Sequence, residues 1–414
     1  MAVLHGILGL LSLLFIAWIL SENRWHIPLR IVIVGVALQI GLAFLFLKVP
    51  LATSAFLLLN DGVGALQKAT DAGTTLVFGY LGGGPLPFAE TQPGASFILA
   101  FRAFPLVLVI SALASLLLYW GILQRIVGAL AFALRRTLGI GGALALGGAV
   151  HIFVGMVEAP LLVRPYLNTM SRGELFALMS CGMAGIAGTV MVIYAGLIGP
   201  VIPDALGHIL IASVISTPAA LAVAALMVPF APDPKESGKL SLPDPPASTM
   251  EAIVRGTNDG IGILVAIIAT LIVLVALVSL VNLALGLLPH DGDPITLQRI
   301  FAYGFWPILW LIGIPEPDLG TASALMGTKT VLNEFVAYLN FSQLPPDALS
   351  PHSRLIMIYA LCGFANFGSL GILVGGMSAM TPERKHEIVS LGLRSILSGT
   401  LATSMSGAVI GMIT

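Results

Sequence analysis

Apolar runs long enough to cross a bilayer recur from one end of this 414-residue chain to the other. A helix needs about 20 such residues to span the hydrocarbon layer. Segments meeting that rule fall near 3–20, 30–48, 98–120, 175–199, 207–229, 261–288, 354–378 and 388–413. In lipid every backbone N–H and C=O must find its partner inside the protein, and helices do this within one segment. Composition agrees: 57% of residues are hydrophobic and 9% charged, with a mean hydropathy of +1.00. A soluble domain carries about 25% charged residues, so a soluble enzyme, a secreted scaffold and a disordered chain are excluded. With 19 basic against 20 acidic residues, the chain has no cationic stripe for nucleic acid. Two cysteines, Cys181 and Cys362, both in apolar segments, do not make a disulfide framework. The first run lacks a basic leader and continues to Leu20, so it reads as a membrane span rather than a signal peptide.

Two further apolar stretches, 124–162 and 298–340, are broken by Gly, Pro and charge. Irregular backbone survives at membrane depth only when buried in protein or lining a cavity, so both are read as re-entrant hairpins. The expected fold is an all-α polytopic membrane protein with eight transmembrane helices and two re-entrant hairpins. Residues 80–96 form a Gly/Pro-rich loop, and 230–248 a polar linker between halves. Placing both termini outside puts Arg24, Arg30, Arg125, Arg135, Arg136, Arg164, Arg172, Lys235, Lys239, Arg255, Arg384 and Lys385 on the cytoplasmic side, as the positive-inside rule asks.

The halves also repeat. Cys181-Gly-Met-Ala-Gly opens one span and Cys362-Gly-Phe-Ala-Asn another; each follows a hairpin carrying a Glu (Glu158, Glu334) and precedes one more span. Hairpin, broken span and span thus occur twice in opposite orientation, an inverted repeat. Such paired, Gly-interrupted segments point to a transporter's binding site.

A carboxylate at bilayer depth costs at least about 2.5 kcal/mol. Glu158 and Glu334 are therefore either structural groups bonded to backbone donors, Arg164 or Lys329, or acceptors for a hydroxyl-bearing solute. The glycines of Phe364-Ala-Asn-Phe-Gly-Ser369 suit a tight helix contact, but Asn366 brings polar atoms that lipid cannot satisfy. An unwound segment offering Asn366 and Ser369 to a ligand accounts for both. His151 is either a hydrogen-bonded structural group or a proton carrier. No zinc-site spacing follows His386-Glu387 and no Gly-x-Ser-x-Gly elbow occurs, so an enzyme is not indicated.

At these residues the chain resembles the concentrative nucleoside transporter family, as a bacterial member with a divergent first-hairpin tip. The likeness runs end to end through Ser21-Glu-Asn-Arg24, Glu158-Ala-Pro-Leu-Leu-Val-Arg-Pro-Tyr166, Ser171-Arg-Gly-Glu-Leu-Phe176, Arg255-Gly-Thr-Asn-Asp-Gly260, Lys329-Thr-Val-Leu-Asn-Glu-Phe-Val-Ala-Tyr338, Gly363-Phe-Ala-Asn-Phe-Gly-Ser369 and Ser398-Gly-Thr-Leu-Ala-Thr403. It implies a homotrimer in the bacterial inner membrane that takes up nucleosides with Na+ or H+, holds no organic cofactor and binds no nucleic acid. The domains it implies are scaffold helices with an interfacial segment at 1–120, a first transport repeat at 121–229, a polar cytoplasmic linker at 230–260, scaffold span six at 261–290 and a second transport repeat at 291–414. Sugar hydroxyls would be held by Glu334, Asn366 and Ser369, with Phe364 beside them. The first tip, His151-Ile-Phe-Val-Gly-Met-Val-Glu158, departs from the family pattern similar to Asn-Ile-Phe-Val-Gly-Gln-Thr-Glu. Gly155 and Glu158 match, whereas Met156 and Val157 replace the Gln and Thr that bond the base. The family's sodium ligands map to His151, Val154, Thr189 and Val190. Imidazole is a poor ligand for a cation that prefers oxygen, so coupling to protons through His151 or Glu158 is favoured over sodium. The alternatives are a carrier of another glycoside or modified nucleoside, and a membrane sensor or partner that keeps the fold without transporting.

Overall fold

The apolar runs fold as helices in the order the sequence places them. The computed structural model describes residues 2–90, 96–156, 158–231, 246–289, 292 and 294–414, the side chains of 2, 50–61, 63, 158 and 189 aside. Helices α1 (Ala2–Ile19) and α2 (Leu29–Lys48) are followed by α3 (Pro50–Phe78). A proline opens α3, where the N–H it lacks would have no helical partner. The sequence reading passes over α3 because Gln67, Lys68 and Asp71 dilute its apolar run. The third span is α4 (Leu99–Arg102) and α5 (Leu106–Tyr119), separated by a turn ending at Pro105.

The stretch 124–162 is not one hairpin. Its first part is α6 (Ile122–Leu138), with Leu123, Val127, Leu134 and Leu138 buried and Arg125, Arg135 and Arg136 exposed. That is the two-faced pattern of a helix lying at an interface. The hairpin proper is α7 (Gly142–Val150) and α8 (Glu158–Leu162). A broken span follows, α9 (Arg172–Ala184) and α10 (Gly188–Ile198), then the unbroken α11 (Ala205–Met227). After α12 (Thr249–Leu285) the same order returns: α13 (Leu297–Leu311), the hairpin α14 (Glu316–Val331) and α15 (Glu334–Ser342), the broken span α16 (Pro351–Leu361) and α17 (Phe367–Met380), and α18 (Lys385–Ile413). The stretch 298–340 therefore also divides into a separate helix, α13, and a shorter hairpin. No strand occurs among the described residues.

Helix α11 and the part of α18 from Ser398 on form the centre and are almost wholly buried. Helix α1 packs on α18 and α2 on α11. Buried hydroxyls tie the centre together: Ser216 and Ser406 Oγ lie 2.9 Å apart, and Gln39 Nε2 donates to Ser406 Oγ at 3.0 Å. Bonds of this kind between membrane helices are worth about 1 kcal/mol each. Helix α12 leaves most of its apolar surface uncovered and packs along α5. Their contact is very close; a Cβ on Gly256 would stand 2.6 Å from the Ser111 carbonyl oxygen. Residues 230–260, expected from the sequence as a polar linker, are not linker throughout. Ser248 Oγ accepts from Glu251 N–H at 3.1 Å and caps α12, so 249–260 is helix, while 232–245 lies outside the described residues.

One end of the bundle carries an ionic cluster. Glu22, in the loop after α1, accepts from Arg172 Nη2 at 2.9 Å and from Arg394 Nη1 at 2.7 Å. It ties that loop to the start of α9 and the third turn of α18. The Arg172 hydrogen bond leads in holding the Glu22 carboxyl below its ordinary 4.5. A carboxyl shifted down contributes stability above its unfolded value and loses it as pH falls through the folded one. Thermal unfolding of Glu22→Gln against the unmutated protein should therefore show a deficit at neutral pH that closes as the pH drops below about 4.5.

Candidate functional site

The two broken spans cross where their helices stop. Phe364 N–H donates to the Gly185 carbonyl at 3.3 Å, joining the break after α16 to the break after α9. Gly363 makes this crossing possible. Its φ is +151°, and a Cβ there would lie 2.8 Å from Thr403 Cγ2, 2.9 Å from the Met183 oxygen and 3.0 Å from the Ala184 oxygen. Only a residue without a Cβ fits both the conformation and the space.

The second hairpin reaches this crossing through Glu334, the first residue of α15. Asn333 caps that helix, its Oδ1 accepting from Val336 N–H at 2.9 Å. A carboxylate is favoured at a helix N-terminus, where unpaired N–H groups give a partial positive charge. Glu334 Oε2 accepts from Asn366 Nδ2 at 2.7 Å, and Oε1 from the Tyr194 hydroxyl at 2.7 Å. Asn366 in turn caps α17, its Oδ1 accepting from Ser369 N–H at 2.7 Å. Glu334, Asn366 and Ser369 thus form one hydrogen-bonded run, all buried, with Phe364 buried on the same break. An aromatic wall flanks it: the Tyr194 ring centroid is 5.1 Å from that of Tyr338 and 6.0 Å from that of Phe335.

Lys329, weighed from the sequence as a partner of Glu334, points elsewhere. Its fully buried Nζ donates to the Ala360 carbonyl at 2.8 Å and to Thr403 Oγ1 at 3.3 Å. The ammonium therefore sits against the last carbonyls of α16, where the helix end is partially negative.

The first hairpin reaches the crossing from the other side. Gly188 N–H, which opens α10, donates to the Phe153 carbonyl at 3.0 Å. That contact brings the His151–Val154 turn beside the segment holding Thr189 and Val190. His151 is buried, and its Nε2 has no hydrogen-bond partner among the described residues. A Cβ on Gly182 would be 3.1 Å from His151 Cε1 and 3.3 Å from Met156 Cβ, so α9 packs directly under the tip. Gly155 is buried and its carbonyl accepts from Ala159 N–H at 3.0 Å; Met156 joins the apolar core. Val157 and the side chains of Glu158 and Thr189 lie outside the described residues.

Sequence reasoning missed Tyr194 and Asn333. Asn333 carried a signal, an Asn directly before an acidic helix start. Tyr194 carried none, because it stands 140 positions from Glu334 in an otherwise apolar helix.

Comparison with known proteins meets this geometry. Profiles described as Na+ dependent nucleoside transporter match residues 8–81 (N-terminus) and 208–411 (C-terminus), and one described as nucleoside recognition matches 100–201. A putative nucleoside permease, NupX, of Escherichia coli is 36% identical over 99% of this chain and 99% of its own length. The nucleoside permease NupC of Helicobacter pylori is 32% identical over 99% and 97%. The solved structure of CNTnw in an inward-facing substrate-bound state superposes with a TM-score of 0.89 at 34% identity, covering 100% of both chains. These relatives are permeases and transporters, not enzymes. The inverted pair of broken spans, the hairpins that meet at their crossing and the end-to-end similarity together place the chain in the concentrative, Na+ dependent nucleoside transporter family.

Proposed function

We propose that the chain is a cation-coupled symporter that imports nucleosides or nucleoside-like solutes across a bacterial inner membrane by alternating access, as a homotrimer with both termini outside. One observation carries the reading: Glu334, Asn366 and Ser369 form a single buried hydrogen-bonded run at the crossing of two broken helices. A carboxylate, an amide and a hydroxyl suit the hydroxyls of a neutral sugar. A phosphorylated solute would meet a negative group there. The hairpins and broken spans are the moving part, and α5 with α12 the static part. On packing grounds α1 and α2, grouped with the scaffold from the sequence, travel with α18 and α11.

Base contacts come from the first tip, at Gly155, Met156, Val157 and Glu158. An apolar tip forgoes hydrogen bonds that read a polar base edge, and a site that gains them discriminates strongly. Met156→Gln with Val157→Thr should tighten pyrimidine-nucleoside binding by about tenfold, the worth of roughly one net hydrogen bond. Titration calorimetry with uridine checks this, and unchanged affinity removes the tip from base recognition.

Coupling is assigned to protons, through His151 or Glu158. The support is a buried imidazole whose Nε2 has no hydrogen-bond partner among the described residues and lies in the turn that Gly188 N–H reaches through Phe153. Sodium is the second reading, favoured by the family's description as Na+ dependent. Proteoliposomes with imposed gradients decide: uridine should accumulate under a proton gradient alone. Accumulation under a sodium gradient alone, with none under protons, transfers the assignment to sodium.

A further inference from the structure

Tyr194 lies outside every residue set that the sequence assigns to substrate or ion, yet its hydroxyl donates to Glu334 Oε1 at 2.7 Å. It comes from α10 in the first repeat, whereas Glu334 opens α15 in the second. Both groups are buried. Asn366 Nδ2 holds the other oxygen at 2.7 Å, so the carboxylate given to the sugar already has a protein donor on each oxygen. The two donors are not equivalent. Asn366 is committed twice, since its Oδ1 also caps α17 through Ser369 N–H. The Tyr194 hydroxyl makes this one hydrogen bond among the described residues. A phenol and a sugar hydroxyl are also the same kind of donor, a single O–H on an apolar support.

We propose that Tyr194 stands in for a substrate hydroxyl in the empty carrier: it occupies Glu334 Oε1 while no nucleoside is bound and yields that oxygen to the sugar when one arrives. The proposal rests on the assignment of Glu334 to sugar binding. The physical need is plain. A symporter must return without cargo, and a buried carboxylate oxygen left without a donor is costly. Tyr194 supplies the donor, so the site closes over itself. Substrate arrival then breaks a direct bond between the two repeats. Solutes lacking the hydroxyl leave the tyrosine in place, so Tyr194 sets specificity as well.

The test is Tyr194→Phe in the purified full-length protein, titrated with uridine and with 2′,3′-dideoxyuridine. Removing the competitor should tighten uridine by about 10- to 100-fold, the worth of one charge-assisted hydrogen bond. Dideoxyuridine should bind the variant and the unmutated protein alike. In proteoliposomes net uridine uptake should fall, because the empty carrier now buries an unpaired oxygen, while uridine exchange continues. Uridine binding that is unchanged or weaker in the variant overturns the proposal. Equal tightening of both ligands overturns it too, since that reports a loosened site rather than a removed competitor. A structure of the unmutated protein with uridine gives the same decision without a variant. A sugar hydroxyl should replace the tyrosine on Oε1, and a persisting Tyr194–Glu334 bond overturns the idea. Failure of the unmutated protein to bind uridine takes down the sugar assignment and this proposal together, whereas binding without gain in Tyr194→Phe takes down this proposal alone.

Discussion

Glu334→Gln is expected to abolish nucleoside accumulation and weaken uridine binding by about 100-fold or more. Hydrogen bonds to a charged group are worth about 1.5–3 kcal/mol each, and each 1.4 kcal/mol is tenfold in affinity. The substitution removes the charge and also turns one acceptor into a donor. A Gln oxygen can still accept from Asn366 Nδ2, but its amide N–H then faces the Tyr194 hydroxyl, and that position no longer accepts from a sugar hydroxyl. One atom change therefore removes the charge and one of the two acceptors. Calorimetry with uridine and uptake into proteoliposomes read the two effects separately. Affinity within tenfold of the unmutated protein would remove Glu334 from the site.

The second large effect is expected at Gly363→Val. Its φ of +151° is strained for any residue with a Cβ, at about 1–3 kcal/mol. The added atoms would also press on the Met183 and Ala184 carbonyl oxygens and on Thr403. Overpacking of this kind costs about 1–3 kcal/mol again. Because two of the three obstacles are backbone atoms of the other broken span, they cannot swing aside as a side chain tip could. Thermal unfolding in detergent should shift to clearly lower temperature, and transport should be lost. A control at Gly128, where a Cβ meets nothing within 4 Å, should leave both unchanged.

The order of elements was legible in the residues because bilayer thickness converts apolar length directly into spans. The repeat was legible because the same Cys-Gly pair stands at or just before each break, at Cys181 and Cys362. Boundaries were less so. Counting apolar residues does not distinguish α6 from the hairpin after it, since the arginines of α6 lie on one face of an otherwise apolar helix. Helix α3 was passed over for the opposite reason, its polar positions hiding a continuous helix of 29 residues. At the site, Glu334, Asn366 and Ser369 could be chosen from the residues because polar groups at membrane depth need a purpose. Which of them touch could not. Tyr194 meets Glu334 only because two inverted halves cross, and no local pattern encodes a contact between chain segments so far apart.

The ammonium of Lys329, sealed against the end of α16, has an electrical consequence. With Glu334 ionised, Lys329 and Glu334 carry opposite unit charges on the same hairpin, so in the proposed transport cycle voltage exerts no net pull on the pair. A resting potential does about 2.3 kcal/mol of work per unit charge for each 100 mV. For this pair the work cancels, and in the proposed cycle it falls on the remaining charges, a coupled cation among them.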